Sequence, residues 1–389
     1  MAIGPDHTYI NEGIYKNFPE DKLAEIIDKA NKLKRKSLPY VHSIKHLSHY
    51  SGSDYNFLRK SVNRFTINYK EYQIPKRSGG FRYIKAPSDE LKKVQRWISQ
   101  NILIKLKPHW RCYSYHKGAS IFECATQHCG ARWLIKLDLE DFFNSITEIQ
   151  IYNLFRELGY SSLVSFEFAR LCTDSAKVTN EFANKFKSSS KNEDYPYLNG
   201  NIKFIGQLPQ GAPTSPSLSN MVFKPVDIAL EQLAKEFNLV YTRYSDDLCF
   251  STREKSFNRE KARKVITLIE SLLDDNKYTS NKRKIRVIPP GTSKTVLGLN
   301  VSGNVPLLSK VFKSRLERHL YGLMENGPEK HKEHTKFKTI FGLLDHIEGI
   351  INYALSIDRI YGEKKSDEFN NVKNHHDLTL FDKNINIIK

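Results

Sequence analysis

The stretch "LVYTRYSDDLCFST", residues 239–252, places two adjacent carboxylates, Asp246 and Asp247, between two apolar flanks. Aromatic and β-branched residues favour strands, so the flanks predict a hairpin with both acids at its tip. A turn that faces water tolerates two Asp residues, because Asp is a common turn former. Flanks typical of a protein core argue for a metal instead, since buried charges are costly without a counter-charge. Magnesium would suit such a tip, because it prefers carboxylate oxygens completed by substrate phosphates.

A third carboxylate ends a second apolar segment. Residues 132–139, "RWLIKLDL", predict a buried strand that ends at Asp138. If this strand lies beside the hairpin, Asp138 and Asp246 meet at one end of a small sheet. Two metal ions about 3.5–4 Å apart could then stabilise both oxygens of an in-line phosphoryl displacement.

The size and charge of the chain narrow the function. Its 389 residues are enough for two or three subdomains. The 61 basic and 43 acidic residues give a net charge of +18. This excess indicates nucleic acid as a partner, because Lys and Arg neutralise phosphates, although a basic surface alone would also account for it.

The cysteines and the termini bear on location. The five cysteines are odd in number and show no disulfide framework, which fits a reducing cytoplasm. The start, "MAIGPDHTYINEGIY", lacks the apolar core of a signal peptide. No run of about 18 apolar residues is present, so we expect no membrane span. These features predict a cytoplasmic protein.

The first half of the chain alternates helices and a hairpin. Residues 19–36 predict an amphipathic helix, and residues 71–87 predict a basic hairpin that turns at "SGG". Ser88 is the expected N-cap of the helix that follows. Residues 174–203 are polar and rich in Ser, Asn and Lys, which predicts an inserted loop.

The second half is mostly helical. One helix is expected to begin with Ser215 as its N-cap and Pro216 in the first position, and Pro225 is expected to kink or shift it. Residues 295–308 predict a second hairpin. Helices are expected from about residue 309 onward, with a polar and partly loose end.

Five segments, in order along about 225 residues, resemble the motifs of reverse transcriptases. "YSDD" is similar to their Tyr-x-Asp-Asp signature, and "LIKLDLEDFFNSI" resembles their first palm motif. "GGFRYIKAP" resembles the segment that holds the triphosphate, "LPQGAPTSPSLSN" the segment that contacts the nascent base pair, and "VLGLNVSG" the primer-grip hairpin. One such motif would be a weak signal, whereas five in order are a strong one.

The resemblance implies an α+β right-hand polymerase fold, in which the antiparallel sheet of the palm carries the carboxylates. Residues 1–70 would form an N-terminal helical segment and residues 71–131 the fingers. The palm with interleaved fingers and the polar insertion would occupy residues 132–308, and the helical thumb and tail residues 309–389. The implied function is RNA-directed DNA synthesis by two-metal nucleotidyl transfer, with an RNA template, a DNA product, dNTPs and two Mg²⁺ ions, for which Mn²⁺ could substitute.

The same resemblance implies the metal ligands. Asp138 and Asp246 would bind the two ions, and the backbone carbonyl of Leu139 would complete the site. Asp247 would support the second coordination sphere or the primer end. The family's carboxylate triad is thus matched at all three positions.

The nucleotide-binding residues follow in the same way. Lys76 and Arg82 would clamp the triphosphate, for which Arg offers bidentate geometry. Lys284, in "NKRKI", would donate a proton to pyrophosphate, and a generic basic loop is an equally simple explanation. Gln210 and Gly211 would lie against the incoming nucleotide.

Aromatic and small residues near the carboxylates also have implied roles. The ring of Phe143 would clash with a 2′-hydroxyl and select deoxynucleotides, whereas its neighbour Phe142 is better explained as core. Tyr244 would pack near the template–primer, and Ser245, at the variable position, would leave room for the primer strand. His128 would be a structural or RNA-contacting residue.

"DFFNSI" and "QGAPTSP" resemble retron reverse transcriptases and related defence-associated reverse transcriptases of bacteria. Two segments differ from the retron pattern. Retrons usually carry Asn-Ala-x-x-His, where this chain has "CATQH" with Cys124, and Val-Thr-Gly, where it has "VLG". These differences favour an antiphage defence enzyme outside the retrons proper, or a divergent retron enzyme primed from a structured non-coding RNA.

Other functions fit the sequence less well. A group II intron reverse transcriptase would need a maturase extension, and about 80 residues follow position 308. A catalytically idle RNA-binding scaffold would not need the three carboxylates. A zinc site at His116, Cys124, His128 and Cys129 matches no paired-ligand spacing. The sequence is compatible with an effector protein as a partner and with assembly into an oligomer.

Overall fold

The computed structural model describes residues 11, 14–75, 79–175 and 205–378, and the architecture is that of those ranges. The expected polar insertion lies outside the described residues, except at its first two positions. Lys76 and residues 379–389 lie outside them as well.

The amino-terminal part is helical, as predicted. It contains α1 (Glu20–Arg35), α2 (Ile44–Ser51) and α3 (Tyr55–Val62). In α1 the acids lie in the first turn and the bases in the last, which suits the helix dipole. The predicted helix over 19–36 is therefore confirmed.

The predicted basic hairpin is confirmed within two residues. Strand β1 (Tyr69–Pro75) pairs antiparallel with β2 (Phe81–Pro87), and helix α4 (Asp89–Asn101) follows. Ser88 stands at the N-cap position of α4, but its side chain makes no capping hydrogen bond. The predicted N-cap position is thus confirmed, and the Ser88 backbone N–H donates to the Asn68 carbonyl at 2.7 Å.

The middle of the chain contains a central strand and the helices packed on it. In chain order the elements are α5 (Ile121–Thr126), β3 (Trp133–Asp138), α6 (Glu148–Leu158), α7 (Ser162–Cys172), β4 (Asp174–Ser175), β5 (Gly206–Gln207) and α8 (Ser215–Glu236). The N-cap of α8 is Thr214, so the predicted start is wrong by one residue. The helix continues through Pro225 to Glu236.

Four strands form the sheet that holds the carboxylates. The further elements are β6 (Val240–Tyr244), β7 (Asp247–Thr252), α9 (Arg259–Asp275) and β8 (Arg286–Ile288). The sheet order is β6-β7-β3-β8, with antiparallel neighbours throughout. The predicted hairpin at 239–252 and the predicted strand before Asp138 are both confirmed.

Strand β3 is buried on both faces. Ile135 and Leu137 belong to the main core, whereas Leu134 belongs to a second apolar cluster that also contains Val296 and Leu299. A strand covered on both sides needs a nearly continuous apolar run. This explains why "RWLIKLDL" lacks the alternation of a half-exposed strand.

The carboxyl-terminal part is a small sheet followed by helices. It contains β9 (Thr295–Val296), β10 (Leu299–Asn300), β11 (Leu307–Leu308), α10 (Lys310–Thr335), α11 (Ile340–Ile357) and α12 (Arg359–His375). Gly327 interrupts α10 with φ 75° and ψ 166°. The expected loose end is wrong up to His375, because α12 buries Phe369 and Val372 against the neighbouring helices.

Within the described residues, α11 is the one helix long and apolar enough, by length and composition, to cross a membrane. Its apolar face is used inside the protein. It joins one apolar cluster with α10 and α12, through Leu343, Leu344, Ile347, Ile350 and Ile351.

A buried ion pair joins α8 to the edge strand β6. The side chains of Arg243 and Asp227 are both 0% exposed. Arg243 Nε donates to Asp227 Oδ1 at 2.8 Å, and Nη2 donates to Oδ2 at 2.7 Å. Tyr241 Oη also donates to Asp227 Oδ1, at 2.8 Å. The carboxylate therefore balances the guanidinium and accepts three hydrogen bonds.

Removing one partner of this pair is expected to be strongly destabilising. Asp227→Ala leaves a buried guanidinium without a counter-charge, so we expect a loss of about 3–5 kcal/mol in the free energy of unfolding. Urea denaturation measures the loss. The matched control is Glu90→Gln in the exposed Glu90–Lys93 pair, which should change stability little. Equal losses in the two variants would contradict a special role for the buried pair.

Candidate active site

The three acids meet at one end of the four-stranded sheet. In the register of β3 and β7, Asp138 lies directly opposite Asp247. Asp246 stands in the turn between β6 and β7, and its backbone carbonyl accepts a hydrogen bond from the Leu139 N–H at 3.0 Å. The expectation that Asp138 and the "YSDD" tip lie on neighbouring strands is confirmed.

A cavity of about 960 Å³ opens beside these acids. It combines carboxylates, cationic side chains, aromatic rings and amide groups. Among its lining residues are the predicted Asp138, Leu139, Asp246, Arg82, Phe143, Gln210 and Lys284. The fold thus brings together segments from separate parts of the chain, as the sequence motifs predict.

Lys284 provides the nearest counter-charge. Its Nζ lies 2.8 Å from Asp138 Oδ2. The hydrogen bond to Asp138 raises the pKa of the Lys284 ammonium, and desolvation opposes this rise. The negative charges of Asp138, Asp246 and Asp247 add to the rise. Lys284 is therefore positioned as a cation within the site, and more than half of its side chain stays exposed.

The surroundings of Asp247 disturb its titration. Burial and then the neighbouring charge of Asp246 raise its pKa from 3.8 to about 6. Asp138 adds to the repulsion, whereas Lys136 opposes it. Crowded carboxylates of this kind gain from a cation placed among them.

The donor set suits a divalent ion whose coordination is completed by substrate. Within the described residues, no group of three or more His, Cys, Asp or Glu side chains could hold a metal ion by itself. Asp138 and Asp246 instead offer hard oxygens on one cavity wall, and Leu139 lines the same cavity. Magnesium commonly binds in this way, through one or two carboxylates plus phosphates and water.

The two neighbouring phenylalanines both line the cavity but differ in burial. Phe142 is 3% exposed and packs edge-on against Phe223, with ring centroids 5.4 Å apart. Phe143 is half-buried and lines the cavity near Asp138. Phe143 can therefore meet a bound molecule with its ring, whereas Phe142 serves mainly the core.

The structure changes the interpretation of Gly211, which is not among the residues lining the cavity. Its φ is +121°, and a Cβ atom there would lie 2.8 Å from Ile84 Cγ2 and 3.1 Å from the Lys85 carbonyl oxygen. The neighbouring Gln210 carbonyl accepts from the Lys85 N–H at 2.8 Å. Glycine is therefore needed here for close packing against β2, and the contact of Gly211 with the incoming nucleotide stays a prediction.

Of the two roles expected of His128, structural or RNA-contacting, the structure supports the structural one and contradicts an RNA contact. This side chain is 0% exposed, and burial lowers its pKa to about 3. Its two ring nitrogens share hydrogen bonds with Ser251 Oγ and Thr242 Oγ1, both at 2.7 Å. Cys124 Sγ lies 3.4 Å from the same Thr242 oxygen. His128 therefore joins β6 to β7 inside the protein.

The other residues considered for zinc also have protein partners. His116 shares hydrogen bonds with the carbonyls of Cys112 and Lys117. Cys129 Sγ lies 3.8 Å from the Ala125 carbonyl oxygen.

Two residues of the site were not found from the sequence. Tyr115 lines the cavity and lies beside Phe143, with ring centroids 6.3 Å apart. Arg243 binds the turn that carries Asp246, through a hydrogen bond from Nη1 to the Ser245 carbonyl at 3.1 Å. A charged residue in the middle of an apolar strand was a usable signal for Arg243. Tyr115 lies in an irregular segment that offers no such pattern.

Tyr244, the predicted template–primer contact, is half-buried at the end of β6. Burial raises the pKa of its phenol, and its ring lies 6.5 Å from that of Tyr115. It is not among the residues that line the cavity, so its predicted contact would lie beside the cavity rather than inside it.

Similarity to known proteins gives independent information about the family of this chain. The family profile described as "Reverse transcriptase (RNA-dependent DNA polymerase)" matches residues 74–301. The retron Ec86 reverse transcriptase of Escherichia coli is 28% identical over 334 residues, which cover 84% of this chain and 88% of that protein. The retron Ec73 reverse transcriptase of Escherichia coli is 30% identical over 297 residues, covering 74% and 83%.

Among solved structures, a telomerase from Candida albicans in complex with a fragment of telomeric RNA aligns with 82% of this chain and 66% of that chain. The sequence identity is 13% and the TM-score is 0.40.

The raised pKa of Asp247 predicts a gain in stability when its charge is removed. An acid with a native pKa of about 6 costs stability at pH values above 6, and the cost fades as pH falls toward 4. We expect Asp247→Asn to stabilise the metal-free protein by roughly 1–3 kcal/mol at pH 8. Urea denaturation in EDTA at pH 8, 5 and 4 measures this difference. A gain that is independent of pH would contradict the electrostatic origin.

Proposed function

Because this chain belongs to the reverse transcriptase (RNA-dependent DNA polymerase) family, and to its retron type, it is an RNA-directed DNA polymerase, and we propose that Asp138 and Asp246 hold two Mg²⁺ ions for its reaction. One observation carries the proposal. Asp138 and Asp246 line the same cavity as Arg82, Phe143 and Gln210, although these residues are far apart in the sequence.

The metal ions have a defined place in this proposal. Enzymes of this family use divalent ions, and Mg²⁺ is proposed because the available ligands are carboxylate oxygens and a phosphate-bearing substrate. Mn²⁺ would fit the same ligands. When bound, the ions would lower the pKa of the primer 3′-hydroxyl and stabilise the charge on the leaving pyrophosphate. The Leu139 carbonyl and Asp247 would support them.

The cationic residues of the cavity would handle the triphosphate. Arg82 lines the cavity on the β1–β2 hairpin, where a guanidinium can bind phosphate oxygens in pairs. Lys284 would exchange its Asp138 partner for the β- or γ-phosphate once a metal ion neutralises that carboxylate. Its ammonium would then be close enough to donate a proton to pyrophosphate. Lys76 keeps its proposed phosphate role, outside the described residues.

The uncharged residues would select and orient the nucleotide. The ring of Phe143 would lie under the sugar, where a 2′-hydroxyl has no room. Gln210 would contact the nascent base pair from the loop before α8. Tyr244 would pack against the template–primer.

The arrangement of subdomains follows from these roles. We propose that residues 71–131 act as fingers and residues 132–308 as the palm with interleaved fingers and a polar insertion at about residues 174–203. Residues 309–389 would be the helical thumb and the C-terminal tail, and residues 1–70 an N-terminal helical segment. The net charge of +18 supports binding of an RNA template and a DNA product. All five cysteines are free and buried, which supports a reducing cytoplasm as the location.

Charge removal at the proposed metal ligands tests the function. Asp246→Asn keeps the size of the side chain and removes a hard anionic ligand, so we expect cDNA synthesis to fall by roughly 10³-fold or more. Primer extension on an RNA template measures the rate. The matched control is Asp274→Asn, at an exposed position of α9, which should leave the rate unchanged. Full activity in both variants would overturn the assignment.

A second proposal concerns priming and biological role. The similarity to two retron reverse transcriptases favours a structured non-coding RNA that serves as both template and primer. An antiphage role, with an effector protein and a defined oligomer, is proposed from the family resemblance of the motifs. The intact carboxylates argue against an idle RNA-binding scaffold.

Nucleic acid that co-purifies with the protein tests the retron proposal. We expect one abundant structured RNA encoded beside the gene, with cDNA joined to it, when the purified material is sequenced. The Asp246→Asn variant should retain the RNA, lack the cDNA and lose protection in phage plating. A cDNA joined to a Tyr or Ser side chain would point to protein priming and contradict the proposal.

A further inference from the structure

Ser245, the residue before Asp246, is held at each of its polar groups. Its N–H donates to Ser114 Oγ at 2.8 Å, and its Oγ accepts from Tyr115 Oη at 2.9 Å. Its carbonyl accepts from Arg243 Nη1 at 3.1 Å. Three polar groups of one turn residue are thus bound by three different side chains.

This restraint matters because Ser245 has an unusual backbone conformation. Its φ is +59°, in the left-handed region, and it is the first of the two residues between the paired Tyr244 and Asp247. Glycine is the usual residue at such a position, since a side chain there is strained. A strained conformation persists only where its surroundings hold it in place. The bonds to Ser245 therefore help to set the direction in which Asp246 leaves the turn.

Two of these bonds come from one segment, residues 111–115, which is firmly attached to the sheet. The Arg243 N–H donates to the Arg111 carbonyl, and the Tyr113 N–H donates to the Arg243 carbonyl, both at 2.8 Å. Asn220 Nδ2 donates to the Ser114 carbonyl at 2.6 Å. The segment thus lies alongside β6 and is also tied to α8, so it supports the turn from two sides.

The ring of Tyr115 faces the proposed nucleotide. Tyr115 lines the cavity, and its side chain is 41% exposed. Its ring centroid lies 6.3 Å from that of Phe143 and 6.5 Å from that of Tyr244. The Tyr115 ring is thus close both to Phe143, at the proposed sugar site, and to Tyr244, at the end of β6.

We propose that Tyr115 is a positioning residue for Asp246, acting through the bond from its hydroxyl to Ser245, and that its ring forms a wall of the nucleotide cavity. The proposal rests on the proposed active site described above. The two parts of the side chain have separate effects. Loss of the hydroxyl disturbs the carboxylate and the metal that it would hold, whereas loss of the ring disturbs nucleotide binding.

The hydroxyl is tested by a double-mutant cycle of Tyr115→Phe and Ser245→Ala. We expect each single variant to lower kcat by about 3- to 10-fold, the range that one lost hydrogen bond gives, with KM for dNTP nearly unchanged. The double variant should be no slower than the worse single variant, because both remove the same bond. The matched control is Tyr55→Phe, at an exposed position of α3 outside the cavity lining, which should match the unaltered protein.

A readout without turnover accompanies the kinetics. Mn²⁺ binding to the protein in the presence of dNTP and without primer, followed by electron paramagnetic resonance, should weaken by a similar factor in Tyr115→Phe and be unchanged in Tyr55→Phe. Tyr115→Ala tests the ring, and it should raise KM for dNTP several-fold beyond the value for Tyr115→Phe. A thermal unfolding midpoint close to that of the unaltered protein separates these effects from general loss of structure.

Two results would overturn the proposal. One is a Tyr115→Phe variant with unaltered kcat and Mn²⁺ affinity, and the other is a set of losses that simply multiply in the double variant. Asp246→Asn, measured alongside, separates failure of the positioning role from failure of the active site. If it is inactive while Tyr115→Phe behaves normally, only the positioning role fails. If it remains active, the proposed active site itself fails.

Discussion

The buried pair of Arg243 and Asp227 is the interaction on which the catalytic end of the sheet depends. A guanidinium at 0% exposure carries a large desolvation cost, which is offset only by a carboxylate in good geometry and by further acceptors. Both conditions hold, because the pair is bidentate and Arg243 Nη1 also donates to Asn220 Oδ1 and the Ser245 carbonyl. A single side chain thereby joins α8, β6 and the turn. An apolar pair could match its stability but could not bind the turn carbonyl, so the ion pair supplies position as well as cohesion.

The cluster of carboxylates at the same turn is electrostatically unfavourable, and the proposed function requires this cluster. Asp138 lies opposite Asp247 in the sheet, and Asp246 stands in the adjoining turn. Burial and the repulsion from the neighbouring carboxylates raise the pKa of Asp247 to about 6. Lys284 offsets part of this repulsion through Asp138, but its side chain is mostly exposed and can move aside. The three carboxylates therefore do not prevent folding, and they still favour binding of a cation with more charge than the Lys284 ammonium. Sites that bind substrate commonly retain such local conflicts, which the surrounding fold must hold in place.

The sequence predicted most of what depends on local pattern. Strand periodicity located the hairpins and the strand before Asp138, and the order of the motifs located the residues of the cavity. The errors have long-range causes. The polar composition of the last helix concealed the few apolar positions, such as Phe369, that bury it against α10 and α11. The packing of Gly211 was not visible in the sequence, because the atoms that a Cβ would meet there belong to the distant strand β2. Tyr115 was missed because its partner, Ser245, is distant in sequence and no period of the chain connects them.

The segment "CATQH", one of the two that differ from the retron pattern, is explained by the burial of its side chains. In "CATQH", His128 binds Thr242 on β6 and Ser251 on β7, and the Cys124 thiol lies against the same Thr242 oxygen. This polar cluster is behind the carboxylates and fixes the two strands that form their turn. A thiol is a weak hydrogen-bonding group, and His128 already satisfies Thr242, so Cys124 can occupy this position without leaving a buried group unpaired. A change at position 124 therefore reports on packing behind the active site, and it carries no information about which RNA the enzyme binds. The departure is compatible with a retron-type enzyme, in agreement with the sequence relatives.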